Sequence, residues 1–194
     1  MQDRRTQRER QIYESVLRLW QEKGDLHTIT VQQVADAAGL GKGTMYEYFS
    51  SREEIFAKAF LYRMETEFLR LETNLERAEN VDERLRELLN MADRVLDAQA
   101  AGLQILSLGV GEKQNLEQLC TQAGCKCSER IEKLLENTVK QGIAEGVFAP
   151  PQSMRYALLA LRSALAGYVS YRRAHPKEMG VEQDTIALLR RALG

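Results

Sequence analysis

Thr30-Val-Gln-Gln-Val-Ala-Asp-Ala-Ala-Gly-Leu-Gly-Lys-Gly-Thr-Met-Tyr-Glu-Tyr-Phe-Ser-Ser-Arg52 is the stretch on which the fold turns. Thr30 and Gln33 have the spacing of a capping box, a hydroxyl for an orphan amide and a side chain that reaches back. A short helix is therefore expected from about Val31 to Ala38, stopping at Gly39, with a second short segment over Gly41 to Phe49. Two helices joined by a glycine turn cross steeply only where the crossing residues are small. Ala35 lies four residues before Gly39, Val34 and Ala38 face inward, and Leu40 and Met45 close the other side. This is a helix-turn-helix pattern, which presents its second helix to a DNA major groove. That helix has the parts of a reader. Gly41 and Gly43 permit close backbone approach, Lys42 suits phosphate or guanine, and Thr44 suits a base edge or a thymine methyl. Tyr46 and Tyr48 offer hydroxyls to phosphates, and Arg52 is placed to clamp the backbone.

The same period continues outward. Ile12, Val16, Leu19 and Trp20 make one helical stripe that Gly24 ends. Ser51-Arg-Glu-Glu54 is a second capping box, opening a long amphipathic helix through Phe56, Phe60, Phe68 and Leu75 to about residue 78. Asp82 is the expected cap of the next helix, which ends near Gly102; from Leu103 to Cys127 the pattern is illegible. Ser128 starts a helix that Gly146 ends, and Pro150-Pro151 breaks the chain. Ser153 caps a helix through Leu158, Leu161, Leu165 and Val169, and a last helix spans about Val181 to Leu193. No stretch alternates as a strand. The expected fold is all-α, with about nine helices.

Composition narrows the function classes. The chain has 194 residues, 27 Lys+Arg and 28 Asp+Glu, and is 44% hydrophobic. That suits one globular domain, or two small ones, and not a polyanion-binding tail. Two histidines far apart, His27 and His175, make a His-rich metal site or a Ser-His-Asp machine a poor fit. No residue set has catalytic spacing, so no enzyme and no cofactor is expected. The polar start, Met1 to Arg10, is no secretory signal, and three cysteines make no secreted disulfide framework. A soluble, cytoplasmic protein without membrane contact is expected.

The phrase as a whole resembles the TetR (tetracycline-repressor-like) family of bacterial transcription regulators. Thr30, Val31, Val34, Ala35, Ala38, Gly39, Leu40, Lys42, Gly43, Thr44, Met45, Tyr46, Tyr48, Phe49, Arg52, Glu53 and Ile55 are in step with the family's phrase. The resemblance implies Lys42, Gly43, Thr44 and Tyr46 in the groove or on its walls, with Thr30, Tyr48 and Arg52 on phosphates. Arg4, Arg5, Arg8 and Arg10 stand where family members often reach DNA with an arm; a solvated helix start reads equally well. Two residues depart from the pattern. Gly41 replaces a frequent Ser, and Glu47 stands where an aromatic or His is frequent. A carboxylate there is repelled by phosphate unless it accepts from a cytosine amino group. Glu47 is thus either a specificity residue or turned away.

The resemblance also implies a head, residues 1–52 with the helix-turn-helix at about 31–49, and a ligand-binding and dimerisation domain, residues 53–194. The helix from about 52 to 78 links the two. Residues 1–52 carry eight basic and seven acidic side chains, so the head is only slightly basic. Met91, Val95, Gln99, Leu103, Leu106, Leu119 and Leu135 are candidates to line an effector pocket, or are plain core. Leu158, Leu161, Leu165, Tyr168, Ile186 and Leu189 are candidates for a homodimer seam, helped by small residues Ala160, Ala164 and Gly167. Cys120, Cys125 and Cys127 either hold a soft metal or sense oxidants, or are incidental thiols. The function expected is a ligand-responsive repressor that binds a palindromic operator as a dimer and is released by a small hydrophobic effector. A helical small-molecule-binding or adaptor protein without specific DNA binding, or a thiol-based regulator, is the alternative.

Overall fold

The computed structural model of the chain describes residues 2–105, 127–151 and 153–194, with side chains at 5–94, 129–151 and 153–194. The elements are α1 (Gln2–Lys23), a 3-10 turn (Leu26–Thr28), α2 (Val31–Ala37), α3 (Lys42–Tyr48) and α4 (Arg52–Arg77). They continue with α5 (Val81–Ile105), α6 (Cys127–Ala144), α7 (Met154–Ala174) and α8 (Val181–Leu193). The protein is all-α. Among the described residues there are eight α-helices against about nine expected, and the illegible stretch is the one that falls mostly outside them. None of these helices is long and apolar enough to cross a membrane. The described residues form two compact units, 2–66 with 98–105, and 67–97 with 127–194; the divisions fall within α4 and within α5.

The first unit is built by local signals. Thr30 Oγ1 accepts from the Gln33 amide at 3.2 Å, and the Thr30 amide donates to Gln33 Oε1 at 3.0 Å, the complete capping box. α2 ends because Gly39 takes φ +66°, a conformation that costs an L side chain about 1–2 kcal/mol. The Gly39 amide then donates to Asp36 O and the Leu40 amide to Ala35 O at 2.9 Å, which closes the turn between α2 and α3. Ile12 and Val16 of α1, Leu26, Ile29, Val34, Ala35, Met45 and Phe49 are buried against Ile55 and Phe56 of α4.

The start of α4 departs from expectation in one detail. The Glu54 amide does donate to Ser51 Oγ, but the Glu54 carboxylate accepts from the amide and hydroxyl of Ser50, both at 2.6 Å, and from Lys58 at 2.8 Å. Burial pushes this carboxyl up, yet the hydrogen bonds from Lys58 and Ser50 outweigh it and hold the pKa at about 2. The folded value lies below the ordinary 4.5, so the stabilisation is complete above pH 4.5 and is lost as pH falls toward about 2. Glu54→Gln is expected to lose less stability than the parent across that window in acid titrations. Equal acid sensitivity of the two proteins would count against the assignment.

In the second unit, α5 is capped by Asn80, whose Oδ1 accepts from the Glu83 amide at 2.9 Å. Asp82, the expected cap, lies instead in the first turn and pairs with Arg190 of α8. The helix also continues through Gly102 to Ile105. Ser153 caps α7 as expected, accepting from the Tyr156 amide at 3.2 Å. Arg84 is buried, donating to Leu75 O and to Thr138 Oγ1. Its burial pulls the guanidinium pKa below its ordinary value. Tyr168 of α7 donates to Asp93 of α5 at 2.7 Å, and Arg172 reaches the same carboxylate at 3.4 Å. Burial and then the Asp93 bond push the Tyr168 hydroxyl up to about 12, so it stays a donor at any working pH.

Candidate nucleic-acid interface

α3 is a short helix with one face committed and one free. Met45 is fully buried and Phe49 nearly so, and these anchor the helix on the head. Successive residues turn by about 100°, so positions two away from Met45 point out at about 160–200° from it. They are Gly43 and Glu47, both exposed. Lys42 and Tyr46 lie exposed on one flank; Thr44 and Tyr48 are half-buried on the other. A side chain added at Gly43 would meet nothing within 4 Å, so the centre of the face is bare. The sequence expected Lys42, Gly43, Thr44, Tyr46 and Tyr48 to act together, and all five stand on this one short helix.

Around it, Thr30 is exposed beside the capping box, its hydroxyl proton available to an outside acceptor. The Arg5 guanidinium lies 5.5 Å from the centre of the Tyr48 ring and pairs with Glu9 at 3.2 Å, so α1 brings a cation beside α3. Arg10 is engaged by Tyr62 at 2.8 Å and by Glu14 at 3.3 Å. The Arg4 side chain lies outside the described residues.

Arg52 has a different employment from the expected phosphate clamp. Its Nε donates to Ile29 O at 3.0 Å, and its Nη2 donates to Leu26 O at 2.8 Å and to His27 O at 3.2 Å. The guanidinium sits 4.9 Å above Phe56. The side chain thus ties the turn before α2 to the start of α4. A count of basic residues cannot find this, because the partners are backbone carbonyls 23–26 residues away.

The bundle residues divide in an unexpected way. Leu158, Leu161, Tyr168, Ile186 and Leu189, expected in a seam between two chains, are at most 9% exposed and form the unit's own core. Leu165 is half-buried and faces an apolar cavity of about 220 Å³, with Leu71, Leu88, Met91, Leu135 and Val169 among the walls. Met91 and Leu135 are thus brought together as expected; Val95, Gln99, Leu103, Leu106 and Leu119 lie outside the described side chains. So do Cys120, Cys125 and Cys127. The apolar surface left open on α7 and α8 belongs to other residues: Tyr156, Leu159, Tyr171 and Leu188 are 46%, 63%, 42% and 58% exposed. Between the two helices runs a groove of about 550 Å³, with Ala160, Ser163, Gly167, Tyr171, Leu188 and Ala192 along it; Tyr168 and Leu189, both expected in the seam, also line it. The signal for it was the row of small residues at positions 160, 163 and 167, spaced three and four apart.

Comparison with known proteins agrees with this geometry. Residues 12–59 match the model of the bacterial regulatory proteins of the tetR family. Among curated proteins no sequence matches. Among solved structures, PfmR of Thermus thermophilus, a TetR family transcriptional regulator, is 26% identical over 94% of this chain and 96% of its own, with a TM-score of 0.56. The regulator FadR of Bacillus subtilis, solved with stearoyl-CoA, is 18% identical over 95% and 97%, with a TM-score of 0.57. A TetR transcription regulator of Haloarcula marismortui is 16% identical over 97% of each chain, with a TM-score of 0.62. These last two likenesses are of fold.

Proposed function

We propose, from the match of residues 12–59 to the tetR family of bacterial regulatory proteins, that the chain is a ligand-responsive transcription regulator of that family. In this reading it is a dimeric repressor that binds a palindromic operator in the cytoplasm. The observation that carries the reading is α3, with Lys42, Gly43 and Tyr46 on a face that nothing among the described residues covers, next to Thr44, Tyr48 and Arg5. The head, residues 1–52, reads DNA; residues 53–194 bind the effector and a second copy of the chain. The occupant of the α7–α8 groove is the same groove of the partner. Large side chains flank a row of small ones, so two copies can interdigitate about a twofold axis. Two reading helices on one axis call for an inverted repeat, with half-sites about one helical turn apart.

The effector is a small hydrophobic molecule held by the cavity beneath Met91, Leu135 and Leu165. Cavities of about 150 Å³ lined by apolar groups hold a benzene-sized ligand, so 220 Å³ suits a compact apolar group. A ligand that prefers one spacing of the two heads shifts the population toward it, and a mismatch with the operator releases the protein.

The test is binding to duplex DNA as salt is varied. Lys42→Ala is expected to weaken binding and to reduce the slope of log affinity against log salt by about 0.9, one lost phosphate contact. If neither protein binds duplex at low salt, the adaptor reading replaces this one.

A further inference from the structure

Glu47 is the charge out of place on α3. It shares the outward pole of the helix with Gly43, opposite the buried Met45. Helical side chains lean toward the N-terminus, so the carboxylate leans over the bare turn at Gly43. Among the described residues no hydrogen bond or ion pair engages it. The described residues of the head therefore leave this charge unneutralised. Position decides what the charge meets. When a helix lies in a major groove, its flanks face the phosphate walls and its outward pole faces the base edges. Lys42 and Tyr46 on one flank suit the wall; Glu47, at the pole, meets the floor, and the missing side chain at Gly43 lets a base pair come close.

Given the DNA-binding reading on which this rests, we infer that Glu47 determines specificity by accepting a hydrogen bond from the N4 amino group of a cytosine in each half-site. Only cytosine N4 and adenine N6 donate in the major groove. Adenine carries its N7 acceptor beside N6, which repels a carboxylate, whereas cytosine has a C–H beside N4. At a guanine edge, a thymine O4 or a phosphate the carboxylate meets only acceptors or negative charge, so it weakens binding to unrelated sequences as well as selecting its own.

The experiment is selection from a random duplex pool by the full-length parent, Glu47→Gln and Glu47→Ala, with circular dichroism to confirm that this exposed position leaves the fold intact. The parent is expected to select an inverted repeat with one C·G pair per half-site favoured roughly tenfold or more. Glu47→Gln should move the preference at that same pair to A·T, because an amide donates to N7 and accepts from N6. Glu47→Ala should lose the preference there, and both variants should bind random duplex several-fold more tightly than the parent. The same preference at every position in all three proteins would overturn the inference and leave the DNA-binding reading standing. Adenine selected by the parent at the affected pair would overturn the cytosine assignment. A parent that enriches no motif at all removes the regulator reading itself.

Discussion

Leu188→Glu is expected to turn the protein into a monomer and to lower its affinity for an inverted-repeat duplex about a hundredfold or more. Leu188 is 58% exposed in a single chain and stands on the wall of the α7–α8 groove. Burying a carboxylate there against the partner's apolar side chains carries a penalty of several kcal/mol unless a cation meets it. The loss reaches DNA because two linked heads bind with an effective concentration that one head lacks, an advantage of about 10²–10⁴. Sedimentation of the variant, with footprinting on the selected repeat, reads both consequences. The control is Leu165→Glu. Its side chain lines the apolar cavity with Met91 and Leu135, so this change should disturb folding or effector binding before it disturbs association. A Leu188→Glu protein that still sediments as a dimer and footprints the repeat places the interface on another surface.

Arg52→Ala is expected to destabilise the first unit by about 2–3 kcal/mol while leaving the salt dependence of DNA binding unchanged. Hydrogen bonds to a charged group contribute about 1.5–3 kcal/mol each, are not additive, and here three carbonyls share one guanidinium. Arg52→Lys should recover little of the loss, since an ammonium cannot span Leu26, His27 and Ile29 from a plane stacked on Phe56. The single tryptophan, Trp20 of α1, packs against the first unit's core and under the Arg63 guanidinium at 5.5 Å. Denaturant unfolding followed by its fluorescence therefore reports on this unit. Unchanged stability, together with a salt slope reduced by about one, would return Arg52 to the phosphate-contact role.

Much of the reading face was legible because its causes are local. The Thr30–Gln33 box, the turns at the positive-φ glycines 24 and 39, and the cap at Ser153 each join residues no more than five apart. Such signals act through one turn of backbone, and a sequence displays them directly. The amphipathic stripes of α1 and α4 were legible for the same reason.

What the sequence by itself determined, then, was the helical class, the turn between α2 and α3, and the group of residues carried on α3. Only the tertiary structure decided which apolar face of α7 and α8 turns inward. Both helices have two, and Leu158, Leu161 and Leu189 went to the core while Leu159 and Leu188 stayed out. Periodicity gives the angle between stripes but not the direction of the neighbouring helix, which is set by elements far along the chain. Tyr168 finds Asp93 75 residues away, and Arg52 finds the carbonyls of a turn that precedes α2. A side chain's role as clamp, cap or contact depends on which partner comes within about 3 Å, and packing alone brings residues so distant in sequence that close.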